Sequence, residues 1–116
     1  MKKIEIRFRC WIYVDGTRFF GPGRAELLEL ILETGSLAAA AKSMGMSYKK
    51  AWDMVEQLNS RGKKPYVIAR KGGKEGGGSE ITAAGKKVLN SYQKFNKRLT
   101  TLVNKEKGVL SLIRNP

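Results

Sequence analysis

The stretch GSLAAAAKSMGMSYKKAWDMVEQL, residues 35–58, constrains this chain more than any other. Its apolar and small residues fall where two short helices crossing steeply must touch: Leu37, Ala40, Ala41 and Met44 on the first, Met46, Ala51, Met54, Val55 and Leu58 on the second. Gly45 supplies the left-handed backbone that ends the first helix, and Ser47 is the natural N-cap of the second. Ala40, Ala41 and Ala51 allow the helices to approach closely, as a helix-turn-helix requires. Tyr48, Lys49, Lys50 and Asp53 are left with no core to enter, so they line the outward first turns of the second helix. That is the part a helix-turn-helix inserts into a DNA major groove. An ordinary helical hairpin inside a core has the same apolar spacing, and the flanks must separate the two readings.

Charge is the first discriminator. With 116 residues the chain is one domain, with room for an appendage but not for a second core. Its formal net charge is +13, without a histidine, which favours a polyanionic partner, nucleic acid before an acidic membrane surface. Residues 1–35 carry six basic and five acidic side chains, whereas residues 42–74 carry nine basic and only two acidic ones, Asp53 and Glu56. The surplus therefore begins with the helix pair. The lone cysteine, Cys10, sits in an alternating apolar row and reads as a buried structural thiol. Without a partner cysteine, a signal peptide or a stretch of transmembrane length, the chain is expected in a reducing cytosol.

Taken in order, residues 4–14 alternate, with Ile4, Ile6, Phe8, Cys10, Ile12 and Val14 on one side, and predict a strand with one dry face. Asp15-Gly16 is a tight-turn pair, and Thr17 to Phe20 can return antiparallel, giving an N-terminal hairpin over 4–20. Gly21-Pro22-Gly23 breaks the chain before a first helix from Arg24 to Thr34, with Leu27, Leu28, Ile31 and Leu32 on or near one face and Glu26, Glu29 and Glu33 mostly on the other, a solvated face. The helix-turn-helix occupies 36–59. After a polar loop from Asn59 to Lys64, a strand at Tyr66 to Arg70, a glycine-rich basic loop over 71–78 and a strand at Ser79 to Ile81 make the layout of a wing, spanning 66–81. Arg70, Lys71 and Lys74 bring charge to it. A plain flexible hairpin is the competing reading. A phosphate-binding loop does not fit, because no Gly-Lys-Ser or Gly-Lys-Thr opens a helix here.

Thr82 caps a long last helix beginning at Ala83. Along it Val88, Tyr92, Phe95, Leu99 and Leu102 recur at alternating spacings of four and three, the pattern of a helix–helix seam. The seam can pack on its own domain or on a second copy, and the small core favours the second copy. Residues 1–82 are thus expected to form the binding unit and residues 83–116 a dimerisation helix. The chain lacks the residue groupings of a catalytic centre, and Ser36, Ser47 and Ser79 have capping or turn roles, so no enzyme, cofactor or metal site is expected.

With both flanks in place, the chain resembles the N-terminal DNA-binding domain of ModE-type molybdate-responsive transcription regulators, a branch near the LysR-type winged helices. The resemblance rests on Thr34-Gly35-Ser36-Leu37, Ala40-Ala41-Lys42, Gly45-Met46-Ser47-Tyr48-Lys49, Ala51-Trp52-Asp53, the segment Met54 to Asn59, the glycine clusters 72–73 and 76–78, and Thr82 with Gly85. It covers about Arg24 to Leu102, with a weaker match over the N-terminal hairpin. It implies an α+β winged helix-turn-helix with an N-terminal β-hairpin, a glycine-rich wing and a long C-terminal dimerisation helix. It also implies a homodimeric regulator on double-stranded DNA, with Ser47, Tyr48, Lys49 and Lys50 at the major groove or its phosphates, and Lys71 and Lys74 on the backbone or in the minor groove. With Ser36, Asp53 and Arg70, these residues make the candidate DNA-contacting set. Trp52 is expected as a core plug, with an aromatic contact to DNA sugars as its alternative. The family's molybdate-binding domains would follow the long helix, and the chain stops at Pro116, so oxyanion sensing is not carried over and the effector is open. A winged-helix module for protein assembly or nonspecific nucleic-acid binding is the alternative function.

Overall fold

Ala40, Ala41 and Ala51 are at most 2% exposed, so the methyl-sized contacts expected between the two central helices are present. The computed structural model describes residues 2–73 and 76–116; the side chains of 71–77 lie outside that description. Helix α1 is Pro22–Thr34, α2 Leu37–Ser43 and α3 Tyr48–Arg61. Gly45, between α2 and α3, has φ +67°, a conformation that costs a residue with a Cβ but not glycine. The Ser36 hydroxyl accepts from the Ala39 amide at 3.0 Å and that of Ser47 from the Lys50 amide at 3.1 Å, so each helix starts on a side-chain cap.

Two antiparallel two-stranded sheets complete an α+β fold. In the first, β1 (Ile12–Val14) pairs with β2 (Thr17–Phe20) across Asp15 and Gly16, both left-handed. The strand predicted from Ile4 is therefore mostly absent, and the hairpin spans 12–20 rather than 4–20. Its returning strand is only four residues long, and a strand without a pairing partner has no ladder to hold it. The even row is not dry either: Phe8 is 37% exposed and Ile12 41%, and Cys10 is half-buried instead of buried. Trp11 lies across the backbone of Gly21, with Arg18 stacked 4.4 Å from the centre of its ring.

In the second sheet, β3 (Val67–Gly73) pairs with β4 (Gly76–Ile81), Val67 opposite Ile81 and Arg70 opposite Gly78. The ladder reaches Gly73 opposite Gly76, so the strands run on into the glycines expected to form a loop. The polar loop predicted from Asn59 also starts later, because α3 continues to Arg61. Asn59 instead ties helix to strand. Its Oδ1 accepts from the amides of Tyr66 at 2.8 Å and Val67 at 3.2 Å, while its Nδ2 donates to the Val67 carbonyl at 2.8 Å. This clamp fixes the start of β3 against the end of α3. Asn59→Ala leaves three backbone groups without these partners and is expected to cost about 1–3 kcal/mol in urea unfolding. Asn59→Asp, which keeps the acceptor and loses the donor, should fall between the two.

The core gathers Phe19 and Phe20 from β2, Leu27, Leu28 and Ile31 from α1, the helix-turn-helix alanines with Leu58, and Val67 and Ile81 from the second hairpin. Leu32, expected on the apolar face of α1, is 51% exposed instead, although its angular position lies between the buried Ala25 and Leu28; it sits in the last turn of the helix, which ends at Thr34. Helix α4, Ala83–Lys105, is capped by the Thr82 hydroxyl, which accepts from the Gly85 amide at 3.0 Å and donates to the Pro65 carbonyl at 2.7 Å. Its first half packs on the same core through Leu89 and Tyr92, 2% and 6% exposed. The Tyr92 ring meets Phe20 edge to face at 5.0 Å, and its hydroxyl donates to the Cys10 carbonyl at 2.8 Å. Burial holds the ionisation of Tyr66 and of Tyr92 above the ordinary tyrosine range.

The second half of α4 leaves the core. The radius of gyration, 17.9 Å, well exceeds the roughly 13 Å of a compact chain of this length. A short helix α5, Gly108–Arg114, follows the break at Glu106 and Lys107.

Candidate nucleic-acid interface

The outer surface of α3 is made by exclusion. Ala51, Val55 and Leu58 take one side of the helix into the core, and Met54 leans on it. At 100° per residue, Lys49 and Asp53 then point almost directly away, with Lys50 on one shoulder and Tyr48 and Trp52 on the other. Tyr48, Lys49 and Lys50 are exposed, and Asp53 is half-buried. The Lys49 ammonium lies 3.5 Å from the Asp53 carboxylate, an i,i+4 pair that directs the lysine along the helix at little energetic gain.

The two shoulders face different neighbours. On the Lys50 side, Gln57 accepts a hydrogen bond from Arg24, whose other guanidinium nitrogen donates to the Phe19 carbonyl at 2.7 Å. Burial, and next the positive charge of Arg61, lower the Arg24 pKa. On the Tyr48 side, Asn59 bonds to β3, so this shoulder looks toward the second hairpin. That hairpin is tied to the start of the helix-turn-helix, because the Ser79 amide donates to the Gly35 carbonyl at 2.9 Å.

Arg70, one of the residues expected to bring charge to the wing, lies at the outer end of the regularly paired stretch of β3, opposite Gly78. Its guanidinium folds back over the α1–α2 turn, so close that a Cβ on Gly35 would lie 3.0 Å from one of its nitrogens. A Cβ on Gly78, opposite Arg70 in the ladder, would lie 2.8 Å from the same nitrogen, so the guanidinium sits between Gly35 and Gly78. Lys74 lies outside the described residues, as does the side chain of Lys71.

Trp52 corrects the sequence reading. It is 46% exposed and plugs nothing, and Tyr48, one turn before it, is 56% exposed. The helical period already held the reason: Trp52 sits about 100° around α3 from the middle of the buried row, too far to enter the core. The expectation set it on the buried side of the second helix, and its angular position takes it off that side.

Along α4, Tyr92 is spent inside its own protomer, while Phe95 and Leu102 are 40% and 67% exposed and Val88 and Leu99 are half-buried. A groove lined by Ile12, Val88, Tyr92, Phe95 and Arg98 opens beside them. Among the described residues no cluster of three or more potential metal ligands occurs, and no helix is long and apolar enough to cross a membrane.

No family model matches the chain. Several curated proteins do. The molybdenum-pterin-binding protein MopB of Rhodobacter capsulatus is 40% identical over 92 residues, 79% of this chain and 34% of that protein. The transcriptional regulator ModE of Haemophilus influenzae is 37% identical over 92 residues, 79% of this chain and 35% of that protein. The DNA-binding transcriptional dual regulator ModE of Escherichia coli is 38% identical over 74 residues, 64% of this chain and 28% of that protein. The chain thus spans about a third of the length of the curated relatives it matches. Its homologues are ModE regulators and molybdenum-pterin-binding proteins, which bears out the resemblance drawn from the GMSYK and AWD runs and the glycine clusters.

Proposed function

We propose that this homologue of the ModE regulators is a sequence-specific double-stranded DNA-binding transcription regulator that acts as a homodimer. The observation that carries the reading is the outward surface of α3: a capped helix start bearing Tyr48, Lys49 and Lys50 in the open, flanked by a glycine-rich hairpin. In this reading α3 enters the major groove and the β3–β4 hairpin is the wing, lying on the backbone or in the minor groove. Ser36, the N-cap of α2, and Arg70, whose guanidinium lies against the preceding Gly35, serve an adjacent phosphate. Lys71 and Lys74 add charge along the wing.

Residues 1–82 form the binding unit, and the outer half of α4 joins two copies. Phe95, Leu99 and Leu102 are the anchors, since Tyr92 is already committed to the core. Two-fold symmetry would set the recognition helices about 34 Å apart and match a palindromic site.

Duplexes selected from a random pool supply the test. Joint Lys49→Ala and Lys50→Ala substitution is expected to weaken binding to the selected duplex by at least about tenfold in a fluorescence titration. Unchanged affinity and unchanged sequence preference would remove α3 from the interface. Equal binding to every duplex would point instead to nonspecific packaging, and binding to a protein but to no duplex would point to an assembly module.

A further inference from the structure

Two large rings stand in the open on α3, and the proposed lysine contacts give them no role. Tyr48 and Trp52 are four residues apart, so they lie one above the other on the shoulder that looks toward β3. Scattered exposed apolar residues need no explanation, but two adjoining aromatics on the exposed first turns of a basic helix do. Both rings stay largely clear of the core that α3 helps to close, and Lys49 lies beside them on the outward face, on a chain of net charge +13. Whatever covers them must therefore present a polyanionic rim around an apolar spot.

Resting on the DNA-binding reading, we infer that Tyr48 and Trp52 form an apolar clamp that reads the 5-methyl group of thymine in the major groove. The chemistry leaves little choice of target. Base edges in that groove offer hydrogen-bond donors and acceptors and only one apolar feature, the thymine methyl. The faces of the indole and phenol rings cannot satisfy donors or acceptors, but they can exclude water from a methyl group. The neighbouring lysines hold the flanking phosphates while the rings sort thymine from cytosine. Trp52 thereby becomes a determinant of specificity, and Lys49 and Lys50 determinants chiefly of affinity.

The test replaces thymine by deoxyuridine, one position at a time, in duplexes selected by the wild-type protein. Deoxyuridine keeps every hydrogen-bonding group and loses only the methyl. At one or two positions per half-site, wild-type affinity should fall about fourfold per methyl, and about fifteenfold when both symmetric positions are changed. Trp52→Ala should bind more weakly and lose this discrimination at the same position; Trp52→Phe should keep most of it. Lys49→Ala should bind more weakly yet discriminate as the wild type does. Wild-type binding indifferent to deoxyuridine everywhere would overturn the clamp while leaving DNA binding intact. So would a Trp52→Ala protein that is weakened but still discriminates, since its ring would then lie on the sugar-phosphate backbone. Failure to select any duplex would instead strike the DNA-binding reading itself.

Discussion

Phe20→Ala will destabilise the protein by about 3–5 kcal/mol in chemical denaturation, a large part of the 5–15 kcal/mol typical of a domain. Phe20 is 1% exposed and couples the β1–β2 hairpin to α4 through its edge-to-face contact with Tyr92. Removing the ring loses its burial, opens a cavity between two elements that share few other contacts, and forfeits about 0.5–1.5 kcal/mol of aromatic pairing. Tyr92 would then keep its hydroxyl bond to the Cys10 carbonyl but lose its aromatic partner, leaving Leu89 as the main apolar anchor of α4. Leu112→Ala is the control, because its side chain is 69% exposed and its loss should change stability by no more than about 0.5 kcal/mol. A Phe20→Ala protein with a wild-type denaturation midpoint would show that the hairpin and α4 do not share a core.

Raising monovalent salt from 50 to 200 mM will weaken duplex binding by about 10³–10⁵-fold if a dimer neutralises 6–10 phosphates. Lys49, Lys50, Arg70, Lys71 and Lys74 give five candidate cations per protomer, and so about ten in a pair, near the top of that range. The slope of log affinity against log salt should be near −0.9 for each phosphate contacted, and each of these residues changed to alanine should reduce it by about two, since one contact is lost in each protomer. Lys49 starts within 3.5 Å of Asp53, so Asp53→Asn offers a second reading of the same charge. It should free the ammonium and raise nonspecific affinity. A salt slope near zero would be incompatible with phosphate contacts and would end the DNA-binding proposal.

The parts that could be read from the chain alone are those decided by neighbours in sequence. Gly45 before Met46-Ser47 had to end one helix and begin another, whatever surrounded it, because backbone freedom at glycine and capping by serine act within a single turn. Ala40, Ala41 and Ala51 could be recognised as a crossing for a similar reason: nothing larger would let two short helices meet. The same holds for Asp15-Gly16 and for Thr82 ahead of α4. The motif resemblance reached the homologues through the same local runs.

Where a residue's fate depended on what lies opposite it in space, the sequence pointed elsewhere. The alternation from Ile4 to Val14 is a strand pattern, yet only three of its residues pair, since the partner strand ends at Phe20. Leu89 escaped notice beside the regular seam of α4, and Tyr92 within that seam turned inward, because Phe20 and the Cys10 carbonyl happen to meet it there. Trp52 had the size of a core residue and the angular position of a surface one.

The chain's own sequence thus determined its turns, its caps, its close helix crossing and the clustering of positive charge from the helix pair onward. Each of these follows from steric and electrostatic rules that operate over a few residues. Tertiary structure decided which apolar side chains are buried, how far the strands run, where Arg70 lies and which rings face outward. Burial is shared among segments far apart in the chain, and a side chain can be covered only by what the rest of the fold brings to it.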